Sequence, residues 1–172
     1  MKLQKKTLIS VLLLFLMSAS IPFTVLAQDN GTVLAGADLT KVVPTSYYFQ
    51  GQSAPTQMRN AVAARFGANR FVIAGMVDTS GYSAQVRARY QGFFITDSAI
   101  TLGGESLPTG AYGFGFTNDG KLNILDIAGN QVLSVSTTND KELKRPRPLM
   151  MSLDGTSVRL YAGRDYVVIA AK

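Results

Sequence analysis

The residues best suited to chemistry lie in a basic stretch near the C-terminal end, residues 141–148 (KELKRPRP). Prolines at alternate positions fix φ and are expected to hold this loop stiff and extended. Its ammonium and guanidinium groups could bind a carboxylate, a phosphate or an acidic glycan, with two-point contact from each arginine. The candidate contact residues for a ligand or partner are Lys141, Lys144, Arg145 and Arg147.

A structural role competes with this binding role. Charges on a loop beside a sheet also discourage edge-to-edge association of sheets in solution. Taken alone, the sequence favours such a solvated connection. Binding is therefore the hypothesis to be tested at this loop.

Catalytic chemistry has little support, because the chain contains no histidine and no cysteine. This absence removes the commonest general base, the thiol nucleophiles and the zinc ligand sets that depend on them. Asp78, Asp97 and Asp126 each fall near a predicted strand end, and two converging carboxylates could form an acid/base pair. An aspartate in that position more often caps a turn. We therefore predict no enzyme activity, no cofactor and no metal site.

Glycine alternates with aromatic residues in the segment 112–116 (YGFGF). A strand with this pattern carries large residues on one face and leaves the other face bare, so that a sheet, a chain or a flat ligand can approach closely. Packing in the core is the favoured interpretation. The alternative is a lipocalin-like carrier of a small apolar ligand, whose interior would be lined by Phe93, Phe94, Tyr112, Phe114 and Phe116.

Short β-prone runs separated by turn residues must position these groups. The pattern predicts an all-β fold, an antiparallel sandwich or open barrel of about eight to ten short strands. Four connections have turn chemistry and should join antiparallel neighbours: 67–69, 118–120, 128–130 and 154–155. The predicted runs are 46–50, 70–77, 86–96, 98–102, 111–117, 121–127, 131–137, 149–153, 157–161 and 166–170.

The segment 55–66 has two interpretations. Met58, Val62 and Phe66 recur every four residues, which is a helical spacing, and Ser53 is a candidate N-cap. The same residues also fit the alternation of a strand. We favour the strand, because it would run through the turn at 67–69 and pair with the run 70–77.

The N-terminal segment has the three-part layout of a secretory signal peptide. Three lysines stand within the first six residues, a run of about ten apolar residues follows, and Val25 and Ala27 suit the peptidase subsites. We predict a cleaved signal peptide at 1–27, a flexible lead-in at 28–40 and a single β domain at 41–172. The protein is then exported, to the periplasm or the extracellular medium, with no transmembrane segment after cleavage.

Cleavage changes the charge of the protein. The whole chain has 17 lysines and arginines against 11 acidic residues, and loss of the three N-terminal lysines leaves 14, a net charge of +3. This balance is too weak to be the electrostatic footprint of a nucleic-acid-binding protein. We predict no nucleic-acid partner.

Three segments, 47–55 (YYFQGQSAP), 77–82 (VDTSGY) and 107–112 (LPTGAY), together resemble small exported all-β bacterial proteins of unknown function. The resemblance implies a secreted all-β domain and transfers no functional residue. Together with the interpretation of the individual residues, it predicts an exported, non-catalytic binding or interaction module of the cell envelope. The ligand is unknown. The sequence suggests two classes of ligand, an acidic component of the envelope and a small apolar molecule.

Overall fold

Short β-strands separated by tight turns make up most of the described part of the chain, residues 31–172 of a computed structural model. Two short helices are α1 (Gly36–Val42) and α2 (Ala84–Arg87). Within this part, no helix is both long and apolar enough to cross a membrane. The predicted signal peptide, 1–27, lies outside the described residues. In chain order the strands are β1 (Gly31–Val33), β2 (Ser46–Phe49), β3 (Gln52–Phe66), β4 (Arg70–Val77), β5 (Gly92–Thr96), β6 (Ile100–Leu102), β7 (Glu105–Leu107), β8 (Gly110–Thr117), β9 (Lys121–Leu125), β10 (Gln131–Ser136), β11 (Thr138–Asn139), β12 (Arg147–Asp154), β13 (Ser157–Gly163) and β14 (Asp165–Ala171).

The strands form two antiparallel sheets that do not close into a barrel. The first sheet has the order β1-β3-β4-β5-β8-β9-β10, and β2 pairs with β3 beside this path. The second has the order β12-β13-β14-β6-β7, and β11 pairs with β14. The predicted all-β sandwich is confirmed. The described strands number fourteen rather than eight to ten. Three of them, β1, β7 and β11, lie outside the predicted runs, because two or three residues leave no alternation to detect.

All four predicted turns close antiparallel hairpins. They join β3 to β4, β8 to β9, β9 to β10 and β12 to β13. Gly67, Gly120, Gly129 and Gly155 in these turns have positive φ values between 62° and 88°. Glycine adopts this backbone conformation without the steric cost that a side chain would add, which is why the turns could be located from sequence.

The ambiguous segment 55–66 lies within β3, so the preferred strand interpretation is confirmed. Residues four apart also share one face of a strand, and Val62 and Phe66 both pack on the core between the sheets. The register with β4 shifts between Thr56 and Ala61, and Met58 in this irregular part is 37% exposed, whereas Phe66 at the end of the strand is buried. A bulge of this kind moves side chains out of the regular period of two.

Two sequence expectations are corrected. The lead-in at 28–40 is structured from residue 31 onward, since Gly31 pairs with Phe66 in β1–β3 and α1 follows. The run predicted at 86–96 is a strand only over Gly92–Thr96 and begins in α2, where the Ser83 hydroxyl accepts a hydrogen bond from the Val86 N–H at 3.3 Å. Both segments are ordered by docking on the first sheet, a tertiary effect that local pattern does not report.

Both faces of the first sheet are covered, so the domain has three layers. One face packs against the second sheet around residues such as Phe94 and Leu160. The other face is covered by an outer layer, made of α1, β2 and the segment 78–91, around residues such as Phe49 and Phe93. This double burial explains why β4 reads as a nearly continuous apolar run (RFVIAGMV) instead of alternating.

The glycine-rich β8 confirms the expectation of a bare strand face. A Cβ atom on Gly113 would lie 2.6 Å from Cε2 of Phe49, and one on Gly115 would lie 2.2 Å from the carbonyl oxygen of Arg89. The outer layer of the same chain therefore occupies the bare face. These two glycines serve packing between layers.

Three tyrosines meet in the outer layer. The Tyr90 ring stacks on Phe49 with centroids 3.9 Å apart, and the Tyr82 hydroxyl donates to the carbonyl oxygens of Phe49 and Gln52 at 3.1 and 3.2 Å. The Tyr47 and Tyr90 hydroxyls are buried and have no hydrogen-bond partner within the described part. Burial, and next the nearby Tyr82, raises the pKa of Tyr47 to about 12 and raises the pKa of Tyr90 as well.

This burial predicts a loss of stability in alkali. The unfolded chain ionises its tyrosines near pH 10, whereas Tyr47 in the folded protein holds its proton to about pH 12. The contribution to the free energy of unfolding is therefore complete below pH 10 and falls as the pH rises from 10 towards 12. Urea unfolding across this range should show the decline, and a Tyr47→Phe, Tyr90→Phe double variant should show less of it. Ionisation of all seven tyrosines of the folded protein near pH 10, followed by phenolate absorbance, would contradict the prediction.

Candidate functional site

Arg164 fixes the path of the basic loop that precedes β12. This arginine follows Gly163 in the turn between β13 and β14. Its Nη1 donates to the carbonyl oxygens of Asp140 at 3.4 Å and Lys141 at 3.1 Å, and in a short contact to that of Leu143. One guanidinium nitrogen thus gathers three carbonyls of the loop and ties them to the second sheet.

Asp140 anchors the start of the loop from the other side. Its N–H donates to the carbonyl oxygen of Arg164 at 2.9 Å. Its carboxylate accepts hydrogen bonds from the N–H groups of Glu142 and Leu143 and from the Tyr161 hydroxyl, all at 3.1 Å. The carboxylate caps a turn here. The prediction of a loop that is extended along its whole length is therefore wrong, and the chain becomes extended only where β12 begins.

All four cations predicted from the sequence are exposed on this anchored segment. Lys141, Lys144 and Arg145 lie on the loop, and Arg147 is the first residue of β12, paired in register with Gly163. Among the described residues, none of these four side chains makes an ion pair. Glu142, also exposed, lies among them. The structure therefore brings the predicted residues together at one end of the second sheet.

A cleft of about 460 Å³ lies beside the loop, between the ends of the two sheets. Its wall on the side of the second sheet includes Gly163 and Asp165, which flank the loop anchor Arg164, and Pro148, which follows Arg147. The loop and the cleft thus share one wall. The lining residues are Met76, Gln91, Phe116, Thr117, Asn118, Pro148, Ala162, Gly163 and Asp165.

The opposite wall is held in place by Gln91. Its Nε2 donates to the carbonyl oxygen of Phe116 at 3.0 Å, and its Oε1 accepts from the N–H of Phe116 at 3.1 Å. The Thr117 hydroxyl is likewise engaged with the backbone of Lys121. Phe116 is therefore a half-buried aromatic residue on a fixed backbone at the cleft.

Two polar side chains of the cleft retain hydrogen-bonding capacity. Asp165 accepts from the Asn139 amide through Oδ1 at 2.7 Å, and within the described residues no hydrogen bond reaches its Oδ2. Asn118 is exposed in the turn between β8 and β9, and its amide has no hydrogen bond to the described chain. The cleft therefore offers a carboxylate oxygen, an amide and an aromatic residue.

The three aspartates considered for catalysis stabilise local backbone. Asp78 accepts from the Ser80 N–H at 3.0 Å, and Asp126 accepts from the N–H and amide of Asn130 at 2.8 and 2.9 Å. These hydrogen bonds lower the pKa of both carboxyls. Asp97 accepts from the Phe71 N–H at 2.8 Å and joins two strand ends. In the described range 31–172, no three histidine, cysteine or acidic residues are grouped to hold a metal ion.

The five aromatics assigned to a carrier interior do not line one space, and that expectation is wrong. Phe93 faces the outer layer, where it stacks on Tyr47 with centroids 5.3 Å apart. Phe94 and Phe114 lie on the other side of the sheet, between the two sheets, with Tyr112 and Phe116 packed partly against them. Successive strand residues point to opposite faces, so Phe93 and Phe94 are separated by the sheet itself.

Comparison of the chain with protein-family models, with curated protein sequences and with solved structures gave no match.

Proposed function

We propose that this protein is an exported, non-catalytic binding module of the cell envelope, which recognises an acidic component through its anchored basic loop. One observation carries the proposal. Lys141, Lys144, Arg145 and Arg147 are exposed and make no ion pair among the described residues, although their backbone is fixed.

Anchoring favours binding for a thermodynamic reason. A flexible loop loses conformational entropy when it binds, at a cost of about 0.5–1.5 kcal/mol for each ordered side chain, besides that of the backbone. Here Arg164 and Asp140 have already ordered the backbone. More of the attraction between the loop cations and an anion then appears as affinity.

The chemistry of the loop also favours an extended acidic partner. Its cations are spread over seven residues rather than gathered around one point, which suits a chain bearing repeated carboxylates, sulfates or phosphates. The net charge of +3 expected after cleavage gives little attraction outside the loop. An acidic polymer of the envelope fits both this arrangement and the predicted export.

The test compares two variants of equal charge. In the first, Lys141, Lys144, Arg145 and Arg147 are all replaced by glutamine. The matched control replaces four other exposed cations by glutamine, at Arg59, Arg65, Arg89 and Lys121. Binding of immobilised chondroitin sulfate by protein purified from its own host is then measured at several salt concentrations.

We expect the loop variant to lose at least about tenfold in affinity at low salt and to show a weaker salt dependence. The control should stay within about threefold of the unmodified protein. Equal losses of affinity in both variants would show that overall charge, and not the loop, causes binding. An unchanged affinity in the loop variant would refute the proposal. Export is tested by the intact mass of the purified protein. If the signal peptide is cleaved, the measured mass is lower than the 18.5 kDa of the whole chain, and the difference equals the mass of residues 1–27.

A further inference from the structure

The cleft and the basic loop are placed to contact one ligand at the same time. The hairpin of β13 and β14 supplies Gly163 and Asp165 to the cleft, and Arg164 between them holds the loop. Arg147 is paired with Gly163, and Pro148 beside it lines the cleft. A chain bound along the loop therefore passes the mouth of the cleft.

On the basis of the proposed function, we infer that this cleft binds a neutral sugar unit of an acidic polysaccharide whose charged units lie on the loop. The preferred ligand is then a polymer in which acidic and neutral sugars alternate. A uniform polyanion fits the combined surface less well.

The groups in the cleft match a neutral sugar. Sugar hydroxyls donate and accept hydrogen bonds, and the free Oδ2 of Asp165 and the amide of Asn118 can accept and donate in return. The apolar C–H face of a sugar ring can pack on Phe116, whose backbone Gln91 holds in place. The volume of about 460 Å³ lies within the usual range for small-ligand sites, roughly 300–1,000 Å³.

Charge separates the two parts of the surface. Asp165 places a carboxylate in the cleft, and none of the lining residues is a lysine or an arginine. An anionic group in the cleft would therefore face like charge, with no cation among the lining residues to offset it. The same group on the loop would meet Lys144, Arg145 or Arg147. The charged units of the ligand thus belong on the loop, and an uncharged unit belongs in the cleft.

The experiment compares two probes, hyaluronan, in which acidic and neutral sugars alternate, and inorganic polyphosphate, in which every unit is charged. Protein from its own host is tested with three single variants, Asn118→Ala, Phe116→Leu and Asp165→Asn. The last of these keeps a carbonyl oxygen for the Asn139 amide but removes the negative charge. Thermal unfolding of each variant shows whether it has folded.

The unmodified protein should prefer hyaluronan over polyphosphate by about tenfold at equal charge concentration. Asn118→Ala and Phe116→Leu should weaken hyaluronan binding by about three- to tenfold and leave polyphosphate binding unchanged. Asp165→Asn should instead strengthen polyphosphate binding by about threefold or more, because the repulsion is removed.

The two proposals fail in different ways. If the cleft variants leave the ratio of the two affinities unchanged while the loop variant loses both ligands, the sugar site is wrong and the basic loop stands. If the loop variant keeps both ligands, the proposed function itself is wrong. If the loop variant loses polyphosphate but keeps its full affinity for hyaluronan, and only the cleft variants weaken hyaluronan binding, the sugar is recognised in the cleft alone and the division of charge is wrong.

Discussion

Replacing Gly115 by alanine should destabilise the protein by about 3 kcal/mol or more, enough to unfold a marginally stable domain. A Cβ atom at this position would lie 2.2 Å from the carbonyl oxygen of Arg89 and 2.8 Å from its carbonyl carbon. Both are backbone atoms, so no side chain can rotate away. Either β8 or the segment 78–91 must move, which opens the layer that buries Tyr90.

The matched control for this change is Gly81→Ala. A Cβ atom on Gly81 would meet only the end of the Gln52 side chain, at 3.7 Å, and its φ is not in the left-handed region. We expect a change within about 0.5 kcal/mol for this variant. Urea unfolding followed by circular dichroism measures both variants. The packing account is wrong if Gly115→Ala unfolds at the same urea concentration as the unmodified protein.

Replacing Arg164 by leucine should loosen the basic loop and weaken ligand binding. The change removes the donor to the carbonyl oxygens of Asp140, Lys141 and Leu143, and we expect a loss of about 1–3 kcal/mol of stability. Amide hydrogen exchange at 141–146 should accelerate. Affinity for chondroitin sulfate should fall by about fivefold or more, because the loop must then be ordered on binding.

Two further variants separate geometry from charge. Arg164→Lys keeps the charge but not the planar guanidinium, and it should restore only part of the loop protection. Arg59→Leu removes an equal charge from β3 on the first sheet, where Arg59 is exposed, and it should leave loop exchange unchanged. Unaltered exchange at 141–146 in Arg164→Leu would show that Arg164 does not hold the loop.

Most of the fold could be predicted because its signals are local. The hairpin turns depend on glycines with positive φ at fixed positions, as at Gly67 and Gly120. The strand over 55–66 follows from its alternation and from the turn after it. In contrast, β1 and α2 could not be predicted, because three residues or a single helical turn carry no period and are ordered by the first sheet.

The candidate site divides in the same way. Its cations could be found because they lie close together in the sequence, as Lys144 and Arg145 do. The anchor Arg164 could not, since it reaches carbonyls more than twenty residues away. The cleft draws its residues from β4, β8, β12, the ends of β13 and β14, the residue before β5 and the turn after β8. These segments meet only through the sheet topology.

Chemical-shift mapping shows where on the sandwich an acidic polysaccharide binds, which we expect to be the end that carries the basic loop. Isotope-labelled protein is titrated with short hyaluronan fragments while its backbone amide signals are followed. The shifts should be confined to three regions, 140–148, 163–165 and 116–118. Shifts centred on the opposite end, such as the turns at 67–69 and 154–155, or no shift at saturating ligand, would contradict this expectation.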